Sequence, residues 1–159
     1  MRSNNQVYLS AIGDALKVVD VEKRLDCFNA KNGSGLTPLH YAMTHGAKDN
    51  KIRALVMAGA DVNVCDSERK TPFLLAAEHC NADIVKIMIN NGADVTVRDK
   101  NKSTPLHIAA EHNTSADVIA VLIKGRADVR ACDNSQCTPL HLAILKNNDA
   151  EVVVALLEK

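Results

Sequence analysis

The phrase Thr-Pro-Leu-His stands at residues 37–40, 104–107 and 138–141, with a looser copy, Thr71-Pro72-Phe73-Leu74, between the first two. The four threonines are 34, 33 and 34 residues apart. A second phrase keeps the same beat: Gly59-Ala60-Asp61-Val62, Gly92-Ala93-Asp94-Val95 and, blurred, Gly125-Arg126-Ala127-Asp128-Val129. Two phrases in fixed order at one such period mean stacked copies of one supersecondary unit, each burying its apolar face against its neighbours.

Within a unit, local chemistry sets the elements. Thr71 is placed to cap a helix through its hydroxyl, and Pro72 then occupies the first helical position, where a missing N–H costs nothing. All four prolines of the chain hold that role. The first helix continues through small pairs, Ala76-Ala77 and Ala109-Ala110, which let neighbouring helices approach closely, and it is too short to be stable alone. A second helix, Ile84-Val85-Lys86-Ile87-Met88-Ile89 in one copy, is apolar almost all round, as expected of a helix covered on both sides. Gly59 and Gly92 follow such helices where a left-handed cap is wanted.

Completed by His40-Tyr41-Ala42, His107-Ile108-Ala109 and His141-Leu142-Ala143, the first phrase becomes T-P-L-H-x-A, and over nearly its whole length the chain resembles the ankyrin-repeat family. The resemblance implies an all-α repeat solenoid, helix-turn-helix repeats stacked and joined by β-hairpin or turn loops. The expected divisions are a degenerate N-terminal capping unit over 1–31 and repeats over 32–65, 66–98, 99–132 and 133–159, the last incomplete. In the cap, helices are expected over residues 5–14 and 21–27, the second amphipathic with Asp20 before it. Repeats 1, 3 and 4 carry one residue more between their helices than repeat 2. Family repeats place glycine two residues before the threonine, as Gly35 is; Arg69, Lys102 and Gln136 stand there in the other copies, so those turns are expected to be strained or of a different type.

By the same resemblance, His40, His107 and His141 bond backbone between adjacent repeats rather than act in catalysis. The family's variable contact positions carry over onto Ser34, Leu36, Thr44 and His45 in repeat 1, and onto Ser67, Glu68, Lys70, Glu78 and His79 in repeat 2. In repeat 3 they fall on Lys100, Asn101, Ser103, Glu111 and His112, with Arg98 and Cys132 at hairpin bases. Asn63, eight residues after Leu55, resembles the hairpin asparagine hydroxylated in many ankyrin repeats and is the candidate modification site.

Chemistry has few other footholds. His45, His79 and His112 recur at one repeat position, but layers about 8–10 Å apart cannot bring them onto one zinc, whose nitrogens lie about 2 Å away. No metal, cofactor or catalytic constellation is expected: Cys-x-x-Cys, a Gly-rich phosphate loop, H-E-x-x-H and G-x-S-x-G do not occur. Glu78 and Glu111 read as solvated groove side chains. Cys132 and Cys137 flank Asp133-Asn134-Ser135-Gln136; either they face each other across a hairpin as a redox pair, or they are two unlinked thiols.

Lys+Arg and Asp+Glu both number 19, so no net field draws nucleic acid or an anionic membrane. No run approaches the ~20 apolar residues of a membrane helix. Five scattered cysteines suit a reducing cytoplasm, that of a host cell for a delivered effector. The function expected is non-enzymatic binding of an unidentified protein on a concave groove; the alternative is a regulatory or targeting segment of a larger enzyme, channel or effector. Val152, Val153, Val154, Ala155, Leu156 and Leu157 go right round the last helix, so further repeats or self-association are expected at the C-terminal face.

Overall fold

A computed structural model of the protein describes residues 27–112, 115–147 and 149–158. Among the described residues from Pro38 onward, eight helices alternate between two rows. The first row comprises α1 (Pro38–Thr44), α3 (Pro72–His79), α5 (Pro105–His112) and α7 (Pro139–Lys146). The second comprises α2 (Asp49–Met57), α4 (Ala82–Asn90), α6 (Ala116–Lys124) and α8 (Ala150–Leu157). Each helix packs on its partner in the same repeat and on the equivalent helices before and after it, which is the nearest-neighbour pattern of a solenoid. The loops between repeats are turns, with no strand among the described residues. Residues 27–29 are helical; residues 1–26 of the expected capping unit lie outside the described residues.

The repeat phrase does what its residues dictate. The Thr71 hydroxyl accepts the Leu74 N–H at 3.2 Å, and Thr37 caps α1 in a reciprocal box with His40. Pro38, Pro72, Pro105 and Pro139 each open a helix of the first row. Ala76, Ala77, Ala109, Ala110 and Ala143 are fully buried where these helices meet, beside Leu39, Phe73 and Leu106. The second row is filled by Ile52, Val56, Ile84, Val85, Met88, Val118, Ile119, Leu122 and Val152.

Helix ends in the second row share one closure. The N–H groups of Ala60, Ala93 and Ala127 donate to the carbonyls of Leu55, Met88 and Leu122, a loop that requires a left-handed residue just before each alanine. Gly59 and Gly92 supply it at φ 97° and 86°. After α6 the residue is Arg126, at φ 71°. Gly125, one place earlier, serves a different need: a Cβ there would lie 3.1 Å from Ile89 Cδ1 and 3.2 Å from the Leu122 carbonyl oxygen. The displaced glycine thus buys close packing of α6 on α4, and the cap falls to arginine.

The hairpin tips resolve the same question. Arg69, Lys102 and Gln136 adopt φ 63°, 60° and 60°, beside Gly35 at 76°, so the turns are of one type and the three non-glycine copies are strained. A left-handed residue with a Cβ costs about 1–2 kcal/mol. Arg126→Gly is therefore expected to raise the unfolding free energy by about 1 kcal/mol, and Gly125→Ala to lower it by about 1–3 kcal/mol through overpacking. Urea titration of both variants checks the pair; a stabilising Gly125→Ala would show that the contact with α4 is slack.

Candidate functional site

Each hairpin tip is built on one acidic or amide side chain. Oδ1 of Asn32 accepts the N–H groups of Ser34 and Leu36; Asp66 does the same for Glu68 and Lys70, Asp99 for Asn101 and Ser103, and Asp133 for Ser135 and Cys137, all at 2.7–3.0 Å. These tips display Ser34, Ser67, Glu68, Lys100 and Asn101 to solvent, while Leu36 and Lys70 are half-buried. Glu68 and Lys100 join adjacent tips at 2.7 Å. Their hydrogen bond holds the carboxyl below its usual range and raises the ammonium above its own. Ser103 contradicts the sequence expectation: it is 7% exposed and faces the stack, so it offers nothing to a partner.

At the far ends of the first-row helices, Thr44, His45, His79 and His112 are exposed. Tyr41 stacks on His45 with ring centroids 3.8 Å apart, and His45 Nδ1 lies 3.0 Å from the Thr44 hydroxyl. His79 and His112 each sit beside the preceding glutamate, at 3.5 and 3.6 Å. The glutamates themselves are a correction. Glu111 has only 18% of its side chain exposed and pairs with Lys146 at 2.6 Å, because the next repeat brings a lysine over it; Glu78 is covered nearly as well, at 23%. Among the described residues no group of His, Cys, Asp or Glu is arranged to hold a metal.

His40 and His107 belong to the scaffold. Each is fully buried, with Nδ1 against the threonine N–H and hydroxyl of its own phrase and Nε2 3.1 Å from a carbonyl of the following repeat, Lys70 or Cys137. An Nδ1 that accepts a backbone N–H and an Nε2 facing a carbonyl require the neutral tautomer protonated on Nε2. Burial lowers the proton affinity of both rings, against the opposing pull of those carbonyl bonds. His141 makes the same bonds to Thr138, with its Nε2 meeting no partner among the described residues.

The hairpin bases are also scaffold. Arg98 donates through Nη1 to the carbonyls of Lys102 and Cys132, at 3.0 and 2.9 Å. Asn63 uses both ends of its amide on the next repeat: Nδ2 donates to the Gly92 carbonyl at 2.8 Å and Oδ1 accepts the Asp94 N–H at 2.9 Å. Cys132 and Cys137 are free thiols, and the expected register is displaced by one, because Asp133, not Cys132, exchanges backbone bonds with the Cys137 segment. Sequence reasoning missed the turn-building quartet Asn32, Asp66, Asp99 and Asp133, although a side-chain acceptor at the repeat spacing was there to be read.

A family model described as ankyrin repeats (3 copies) matches residues 13–99 and 94–159. The transient receptor potential cation channel subfamily A member 1 of Drosophila melanogaster is 33% identical over 90 residues, covering 52% of this chain and 7% of that protein. The chain therefore spans a small fraction of the curated relative that it matches.

Two outcomes follow from the buried imidazoles. His107→Ala leaves the Thr104 N–H and the Cys137 carbonyl without their partner and is expected to cost about 1–3 kcal/mol in denaturant unfolding. With proton affinity lower folded than unfolded, the unfolded chain binds more protons below the ordinary histidine pKa of about 6.5. Stability is then full above that value and falls as pH drops through and below it. The double variant His40→Ala with His107→Ala should lose most of this slope, as read by thermal midpoint against pH; an unchanged slope would place its origin elsewhere.

Proposed function

This chain belongs to the ankyrin-repeat family, and we propose that it is a non-enzymatic module that binds a partner protein on the groove formed by its hairpin tips and first-row helices. The observation that carries the reading is a separation of roles. Side chains that hold the stack, His40, His107, Asn63, Arg98 and the turn-building Asp66, Asp99 and Asp133, spend their polar atoms on backbone. Thr44, His45, His79 and His112 stand exposed along one side in register, where a solenoid offers an extended contact surface. Among the remaining contact candidates, Ser34, Ser67, Glu68, Lys100 and Asn101 extend that surface onto the tips. Five scattered cysteines favour a reducing compartment such as the cytoplasm. No helix among the described residues is long and apolar enough to cross a membrane.

A second reading, that the chain is a regulatory or targeting stretch of a larger protein, is favoured by its last repeat. Ile144, Leu145, Val154 and Leu157 are 64%, 72%, 50% and 64% exposed. Beside them His141 presents the Nε2 that in His40 and His107 reaches the following repeat. That face fits a further repeat, and the matched relative is a cation channel of far greater length.

Substituting His79→Ala with His112→Ala removes exposed side chains, so stability should shift by less than about 0.5 kcal/mol. Capture of a binding protein from cell extract by the immobilised chain, quantified by mass spectrometry, should fall at least tenfold. Full retention of every captured protein would remove the groove as the binding face.

A further inference from the structure

The hairpin tips carry a charge pattern that the scaffold does not need. Gly35, Arg69, Lys102 and Gln136 occupy one equivalent left-handed position in the four tips. Glycine takes that conformation without steric cost, and asparagine and aspartate are the side chains that tolerate it best. Three successive tips instead hold two long cations and a glutamine. All three side chains are exposed, and none makes a hydrogen bond or ion pair with the described residues. Nearby, Oδ1 of Asp66, Asp99 and Asp133 each accepts two backbone N–H groups, and Glu68 pairs with Lys100. Arg98 points its guanidinium inward to two carbonyls. At this left-handed position the tips thus turn outward two unpaired cations, Arg69 and Lys102, and the amide of Gln136, one per layer.

We infer that this row holds an acidic segment of a partner protein in the polyproline II conformation, which runs along the tips with a carboxylate at every third residue. The inference rests on the protein-binding reading and names the ligand chemistry of three tip residues that reading does not single out. Layers about 8–10 Å apart match one turn of a polyproline II chain, three residues at about 3.1 Å each, which keeps every third side chain on one face. A nucleic-acid strand, with a phosphate about every 3.4 Å of axis, would bring roughly three charges past each single cation, and past Glu68 as well. A chain with 19 basic and 19 acidic residues supplies no surplus field to hold it. The peptide fits the spacing and the polyanion does not.

The experiment uses the full chain and three fluorescein-labelled probes at about 50 mM salt, where exposed charges are weakly screened: a 12-residue peptide (about 37 Å as polyproline II) with Glu at every third position between prolines, the same peptide with Gln for Glu, and a single-stranded oligonucleotide of equal length. Fluorescence polarisation is expected to show binding of the Glu peptide and at least tenfold weaker binding of the Gln peptide. Arg69→Gly with Lys102→Gly should weaken the Glu peptide roughly tenfold, as two exposed ion pairs would, while raising the thermal midpoint because the strain is released. Arg126→Gly, which relieves the same strain away from the tips, should raise the midpoint and leave binding unchanged. No binding of the Glu peptide, equal affinity in the double variant, or an oligonucleotide that binds as tightly and is lost in that variant would each overturn the inference. None of these outcomes touches His79 or His112, so the groove result stands or falls separately.

Discussion

The hydrogen bond from a buried imidazole to the backbone of the next repeat is the interaction on which this stack depends. His40 and His107 tie the first turn of one repeat to the hairpin of the following one, through Lys70 and Cys137. No single repeat here can bury its own apolar face, and the helices are seven to nine residues long. Order therefore has to pass from layer to layer, and a joint made of directional bonds fixes the register that alanine packing alone would leave loose.

Repeat 2 shows how the joint is replaced when its histidine is missing. Leu74 fills the site as a buried apolar side chain, with 2% exposure, and gives no bond across the layers. Between repeats 2 and 3 Glu68 meets Lys100 at the tips and Arg98 reaches the Cys132 carbonyl, while the two bonds of Asn63 to Gly92 and Asp94 join repeats 1 and 2. At the joint between repeats 2 and 3 the position equivalent to Asn63 is Thr96, whose hydroxyl bonds locally to Asp94, and between repeats 3 and 4 His107 and Asn147 cross instead. Polar cross-ties are thus distributed unevenly over a uniform apolar stack, and each joint keeps some.

Much of this was legible in the chain because the repeat phrase is made of residues with single local roles: a threonine that caps, a proline tolerated only at a helix start, a histidine, a pair of alanines. Period and helix order follow from them. What was not legible depends on pairings between layers. Glu111 is covered because Lys146 arrives from the next repeat, and Ser103 is turned inward because Asp99 winds its tip tightly enough to bring residue 103 under it. At the last tip it is Asp133, not Cys132, that bonds the Cys137 backbone, because Asp133 starts the turn with its own side chain. Left-handed backbone at Arg69, Lys102 and Gln136 was anticipated as strain or a different turn, and the common role of Asp66, Asp99 and Asp133 decides for strain.

The most direct measurement is a long-range proton–nitrogen correlation spectrum of the histidine side chains in the intact protein. The account predicts that His40 and His107 appear as neutral rings protonated on Nε2, with an Nε2–H slow to exchange and a proton affinity below that of an ordinary histidine. Rings protonated on Nδ1, or Nε2–H protons that exchange as fast as those of the exposed histidines, would contradict it, because the carbonyls of Lys70 and Cys137 would then have no donor and the repeats no such joint.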